Sequence, residues 1–131
     1  MEKVIQKLSS ANLAIKTFKA ILQEPESTIT RDASIKRFEY SFEALWKCIQ
    51  AYLKHKEGII ANSPKLCFRE LFHLGLITEK DCENALRTTD LRNETTHTYH
   101  EETAKAIYQQ LKGVSDLFEG ILLILNQKRA D

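Results

Sequence analysis

Ile35-Lys36-Arg37-Phe38-Glu39-Tyr40-Ser41-Phe42-Glu43-Ala44-Leu45-Trp46-Lys47-Cys48-Ile49-Gln50-Ala51-Tyr52 repeats its apolar residues in steps of three and four. Ile35, Phe38, Phe42, Leu45, Ile49 and Tyr52 fall on one face of an α-helix, and Trp46 and Leu53 widen the stripe. The intervening Lys, Glu and Gln are left on the other face. Two further segments carry the same period: Val4, Leu8, Ala11, Ile15, Phe18 and Leu22 before it, and Ala104, Ile107, Leu111, Val114, Phe118, Ile121 and Leu125 after it. Stripes this wide suit bundle packing better than a two-residue coiled-coil seam.

The residues between these segments agree. Pro25 cannot continue a helix and disfavours helical geometry at Glu24, so the first helix stops there. Ser27 to Asp32 is read as a polar loop with cap candidates for the second helix, which runs to about Lys56 before Gly58. Ser63 caps a short helix with Pro64 at its first position, and Gly75 ends it. Thr78 caps another, with Glu79 and Asp81 where the helix dipole favours acids. The expected architecture is all-α: an up-and-down four-helix bundle with an additional short helix, five helices in total, three long and two short, in one domain over residues 1–131.

Bulk properties narrow the function. The 131 residues are 43% hydrophobic and 28% charged, an ordinary globular balance, and a formal charge of +1 offers no global field for a polyanion. Binding of RNA therefore needs a local site. Cys48, Cys67 and Cys82 are odd in number and widely spaced, which reads as buried, reduced thiols of a cytoplasmic protein. The charged N-terminus lacks a signal peptide's apolar stretch, and Ile121 to Leu125 is too short to cross a bilayer, so no membrane span is expected. Glycine-rich phosphate loops, nucleophile elbows and calcium loops are missing, and no cofactor is expected.

The polar stretch Asp90-Leu91-Arg92-Asn93-Glu94-Thr95-Thr96-His97-Thr98-Tyr99-His100-Glu101-Glu102 stands apart. With little in it to bury, composition alone favours a solvated connection between helices. Its residue types point to phosphate chemistry. Arg92 offers a planar, permanent charge that suits a phosphate. His97 exchanges a proton near neutral pH, Asn93 can orient either group, and Tyr99 adds a hydroxyl. His97, His100 and Glu101 have metal-like spacing, yet no matched third ligand exists elsewhere, so no metal is expected. Arg92 and His97 lie about 140° apart on an ideal helix. They converge only where the helix ends or distorts between them, or where a second subunit completes the site.

Arg92, Asn93, His97 and Tyr99 match the R-x4-H-x-Y form of the HEPN superfamily mark. Over essentially its full length the chain resembles the nucleotidyltransferase substrate-binding protein family. The resemblance is carried by Arg31-Asp32, Arg37-Phe38-Glu39, Leu45-Trp46-Lys47, His97-Thr98-Tyr99 and Glu101-Glu102-Thr103-Ala104. It implies a two-fold homodimer with both Arg/His sets near the seam. It also implies a toxin–antitoxin pair: a metal-independent ribonuclease, silenced by a minimal nucleotidyltransferase antitoxin that adds AMP to the motif tyrosine. On that reading Arg92, His97 and Asn93 are catalytic and Tyr99 is the modification site. Two other readings use the same residues differently: a non-catalytic subunit that binds a nucleotide for a separate transferase, and a helical dimerisation module with no site.

Overall fold

A computed structural model describes residues 1–129. Five α-helices are present: α1 (Glu2–Ile21), α2 (Thr28–Tyr52), α3 (Pro64–His73), α4 (Glu79–Glu94) and α5 (Glu101–Lys128). A π-helical turn, Leu53–Glu57, extends α2, and a 3-10 turn, Thr95–His97, follows α4. Among the described residues there is no strand, and no helix is long and apolar enough to cross a membrane.

Cross-helix bonds fix the topology. Ser41 Oγ donates to the Ala14 carbonyl and Arg37 to that of Thr17, so α1 and α2 run antiparallel. The Lys19–Glu119 ion pair and the Asn126–Asn12 amide contact make α5 antiparallel to α1 as well. Arg31 meets Glu101 at one end and Lys56 meets the Arg129 carbonyl at the other, so α2 and α5 are parallel. α4 and α5 share a groove lined by Asn84 and Leu91 on one side and Gln110 and Leu117 on the other, and the short connection from Glu94 to Glu101 turns the chain back, again antiparallel. Helices α1, α2, α4 and α5 thus alternate direction, and α3 is the additional short helix. The expected bundle is the one formed.

The core is aromatic at its centre. Phe18 of α1, Phe38 and Phe42 of α2, Phe68 of α3 and Phe118 of α5 are buried, with neighbouring ring centroids 6.1–6.4 Å apart. Rings at that separation gain from edge and offset contacts beyond their buried area. Cys48, Cys67 and Cys82 are free and buried. Burial pushes the Cys48 and Cys67 thiols up to about 12, the Lys7 ammonium opposing it at Cys48 and Glu70 adding to it at Cys67. Both stay protonated at neutral pH and serve as small apolar groups.

Local signals place most helix ends. Ser63 and Thr78 cap α3 and α4 as expected, accepting from Leu66 and Asp81 N–H at 3.3 and 3.1 Å. Gly58 and Gly75 take positive φ at the stops they were expected to make. Three boundaries differ. Ser27 is itself the cap of α2, accepting from Thr30 N–H at 3.0 Å, so Thr28 to Asp32 is helix rather than loop. The last turn of α2 widens to π geometry before Gly58. α4 is sixteen residues long rather than short and carries Asp90 to Glu94 inside it. Trp46 is only half-buried, with its indole N–H donating to Glu43 Oε2 at 3.0 Å.

Because Phe38 touches the rings of α1, α2 and α5 at once, Phe38→Ala should lower unfolding free energy by about 3–5 kcal/mol. Urea denaturation checks this, and a loss below about 1 kcal/mol contradicts a shared aromatic centre.

Candidate functional site

The site lies where α4 ends. Arg92 sits in the last turn of α4 with its guanidinium turned towards α2, 24% exposed. One Nη donates to Thr95 Oγ1 at 3.0 Å and lies 3.4 Å from Glu39 Oε2. Its Nε faces Glu43 Oε1 at 3.8 Å, beyond hydrogen-bonding distance. Thr95, buried, donates in turn to the Arg92 carbonyl at 2.6 Å. The same carbonyl accepts the Thr95 backbone N–H, so the end of α4 is closed twice at this residue. Arg92 and Thr95 therefore hold each other through both main chain and side chain.

Beyond Thr95 the chain tightens into the 3-10 turn that carries Thr96 and His97. Thr96 Oγ1 donates to the Asn93 carbonyl and Thr98 Oγ1 to that of Thr95, so successive hydroxyls close the helix end. A helix break between Arg92 and His97 is one condition for their convergence, but it sets the two side chains in separate groups. It leaves His97 exposed on the outer side of the turn, with Nδ1 3.4 Å from the Tyr99 hydroxyl. Tyr99 is 75% exposed, its ring tilted against His100 at 4.4 Å between centroids. His100 is the N-cap residue of α5, whose first turn opens with Glu101 and Glu102.

The residues singled out from sequence fall into two groups. His97 and Tyr99 are brought together on the surface. Arg92 belongs to a second, half-buried set, joined to the first through Thr95. Asn93 is exposed, and its carbonyl rather than its side chain supports the turn. The solvated connection read from composition is shorter than expected: α4 continues through Glu94, with Leu91 and Thr95 buried, and the exposed residues between the helices fall within Thr96 to His100. Among the described residues no three His, Cys, Asp or Glu side chains gather as a metal set.

Sequence reasoning missed Glu39, Glu43, Thr95 and the role of Arg31. Glu39 and Glu43 stand four apart, on the half-exposed side of α2 that faces Arg92. Arg31, with its side chain only 11% exposed, reaches Asp32 at 3.6 Å and Glu101 at 3.7 Å, and its Nε has no hydrogen-bond acceptor. It ties the start of α5 to the start of α2, holding the turn from both sides. A buried guanidinium is costly without acceptors, and the Arg-Asp and Arg-Phe-Glu runs on α2 supply these contacts.

A family model described as nucleotidyltransferase substrate binding protein like matches residues 6–126. A Thermus thermophilus protein of known crystal structure is 42% identical, with 88% of this chain and 98% of that one covered at a TM-score of 0.84. The tri-AMPylated HEPN toxin of Shewanella oneidensis, solved in complex with MNT antitoxin, is 19% identical at a TM-score of 0.76, covering 95% and 96%. HI0074 of Haemophilus influenzae, whose structure revealed the fold of a substrate binding domain of a nucleotidyltransferase, is 24% identical at 0.73, covering 91% and 98%. The last two share the fold. No curated protein matches the chain.

Thr95→Val keeps the shape but removes the hydroxyl that pairs with both Arg92 groups. It should cost about 1–3 kcal/mol in urea denaturation, the usual range for a buried polar group losing its partner. A change within about 0.5 kcal/mol contradicts the clamp.

Proposed function

Because the chain belongs to the nucleotidyltransferase substrate-binding protein-like family, we propose that it is the helical half of a two-component pair: a metal-independent ribonuclease held in check by a minimal nucleotidyltransferase. The observation that carries this reading is the contact between His97 Nδ1 and the Tyr99 hydroxyl. The group suited to move a proton and the group suited to accept AMP share one exposed turn. An AMP joined to Tyr99 adds bulk and negative charge at the imidazole and keeps a phosphodiester away.

In the proposed reaction the RNA 2′-oxygen attacks the adjacent phosphorus. His97 takes the 2′-hydroxyl proton, and the bond from phosphorus to the 5′-oxygen breaks as that oxygen gains a proton. Arg92 stabilises the charge that builds on the phosphoryl oxygens. Glu39 and Glu43 meet the guanidinium only at 3.4 and 3.8 Å, loose enough for a phosphate to compete. A two-fold pair of chains supplies two such turns, so that one imidazole accepts a proton while the other donates. DNA, lacking the 2′-hydroxyl, is inert.

A second reading is favoured by the same carboxylates. They already offset part of the charge on Arg92, which suits a site that binds a nucleotide without cleaving RNA. Cleavage of RNA in EDTA separates the two. Wild type should cut, His97→Ala should be slower by about 10²–10⁴-fold, and wild type co-expressed with the transferase should carry AMP on Tyr99 and lose activity. Equal cleavage by wild type and His97→Ala removes His97 from the mechanism, and nucleotide binding without cleavage supports the second reading.

A further inference from the structure

At the end of the bundle where α1 begins and α2 finishes lies a cavity of about 410 Å³, within the usual range for small-ligand sites. Lys3 and Lys7 of α1 line one wall, and Lys47 and Lys54 of α2 line the other. His55, in the π-helical turn, adds a further nitrogen, and among the described residues no carboxylate lines the cavity. Turns of π geometry interrupt helices most often where a site is built.

Four lysines converge on this one cavity. Three lysines elsewhere take acidic partners: Lys19 with Glu119, Lys65 with Asp90, Lys105 with Glu101. None of the four cavity lysines forms an ion pair with a described residue. Lys3 and Lys7 stand at i and i+4, a spacing at which like charges destabilise a helix. A net charge of +1 conceals this concentration of four ammonium groups on one hollow. The remaining wall suits a small polar ligand: Gln50 and Asn62 supply amides beside Ala51 and Ile59. Gln50 also donates to the Ala61 carbonyl at 2.8 Å, fixing the segment that closes the cavity against α2.

We infer that this cavity binds the phosphate chain of a polyphosphate, carried by a nucleoside di- or triphosphate or free as an inorganic polyphosphate. Several anionic oxygens in sequence match several ammonium donors around one hollow, and each such contact is a charge-assisted hydrogen bond. No residue lining the cavity belongs to the Arg92 turn. Along α2, Lys47 lies one turn beyond Glu43, about 6 Å at 1.5 Å per residue, and Lys54 follows in the π-helical turn, about 16 Å from Glu43. The inference does not depend on ribonuclease activity.

Isothermal titration calorimetry of the full chain with inorganic tripolyphosphate and with ATP, at low salt, tests it. Both should bind, with affinity falling as salt is raised. Lys47→Gln/Lys54→Gln, two exposed positions, should weaken both ligands by about tenfold or more, and Lys47→Arg/Lys54→Arg should retain binding. In an Arg92→Ala background the lysine pair should still weaken both ligands by about the same factor, which separates this site from the motif. Tighter binding of ATP assigns the cavity to a nucleotide, and equal binding assigns it to the phosphate chain alone. Failure of both ligands to bind, or binding indifferent to the lysine pair but lost in Arg92→Ala, overturns the inference.

Discussion

A half-buried guanidinium must find acceptors, and at Arg92 that requirement sets the geometry of the whole motif. Its partners come from two directions: Glu39 and Glu43 from α2, and Thr95 from its own chain three residues on. The Thr95 hydroxyl also donates to the Arg92 carbonyl, at the point where α4 stops at Glu94 and the chain tightens. The 3-10 turn that results carries His97 outward and sets it against Tyr99. The aromatic core keeps α2 and α5 in the positions from which Glu39, Glu43 and Arg31 reach the turn.

Charge is distributed along α2 in a way the net value hides. Its N-terminal and middle turns offer Arg31, Glu39 and Glu43 to the motif as paired groups. Its last turns offer Lys47 and Lys54 to a cavity in which no described residue forms an ion pair with them. One helix thus presents a self-compensated site at one level and an uncompensated basic hollow at another. Paired groups hold positions, whereas unpaired ones hold potential for an anion.

Much of this was legible in the sequence because it rests on local rules. Apolar spacing located the three long segments, and Ser63, Pro64, Gly58, Gly75 and Thr78 marked ends through backbone preferences that need no tertiary context. Arg92, His97 and Tyr99 stood out by type. What was hidden depends on contacts distant in sequence. Glu39 and Glu43 look like ordinary solvated acids until α4 is laid beside them. Asp90 to Glu94 looks like a connection because Arg92 meets Glu39 and Glu43 of α2 and Asp90 meets Lys65 of α3, rather than core. The start of α2 was missed by a few residues since Ser27, Thr28 and Thr30 are all plausible caps, and only the bond from Thr30 N–H to Ser27 distinguishes them.

The central claim is that the turn after α4 acts on one RNA phosphodiester through the neighbouring 2′-oxygen, without a metal. The end groups left on a short RNA of defined sequence, cut by the purified chain in EDTA and read by mass spectrometry, test this most directly. The account predicts a 2′,3′-cyclic phosphate on one fragment and a 5′-hydroxyl on the other, with no cut at a single 2′-deoxy position. Fragments ending in 3′-hydroxyl and 5′-phosphate, or an RNA left whole, contradict it.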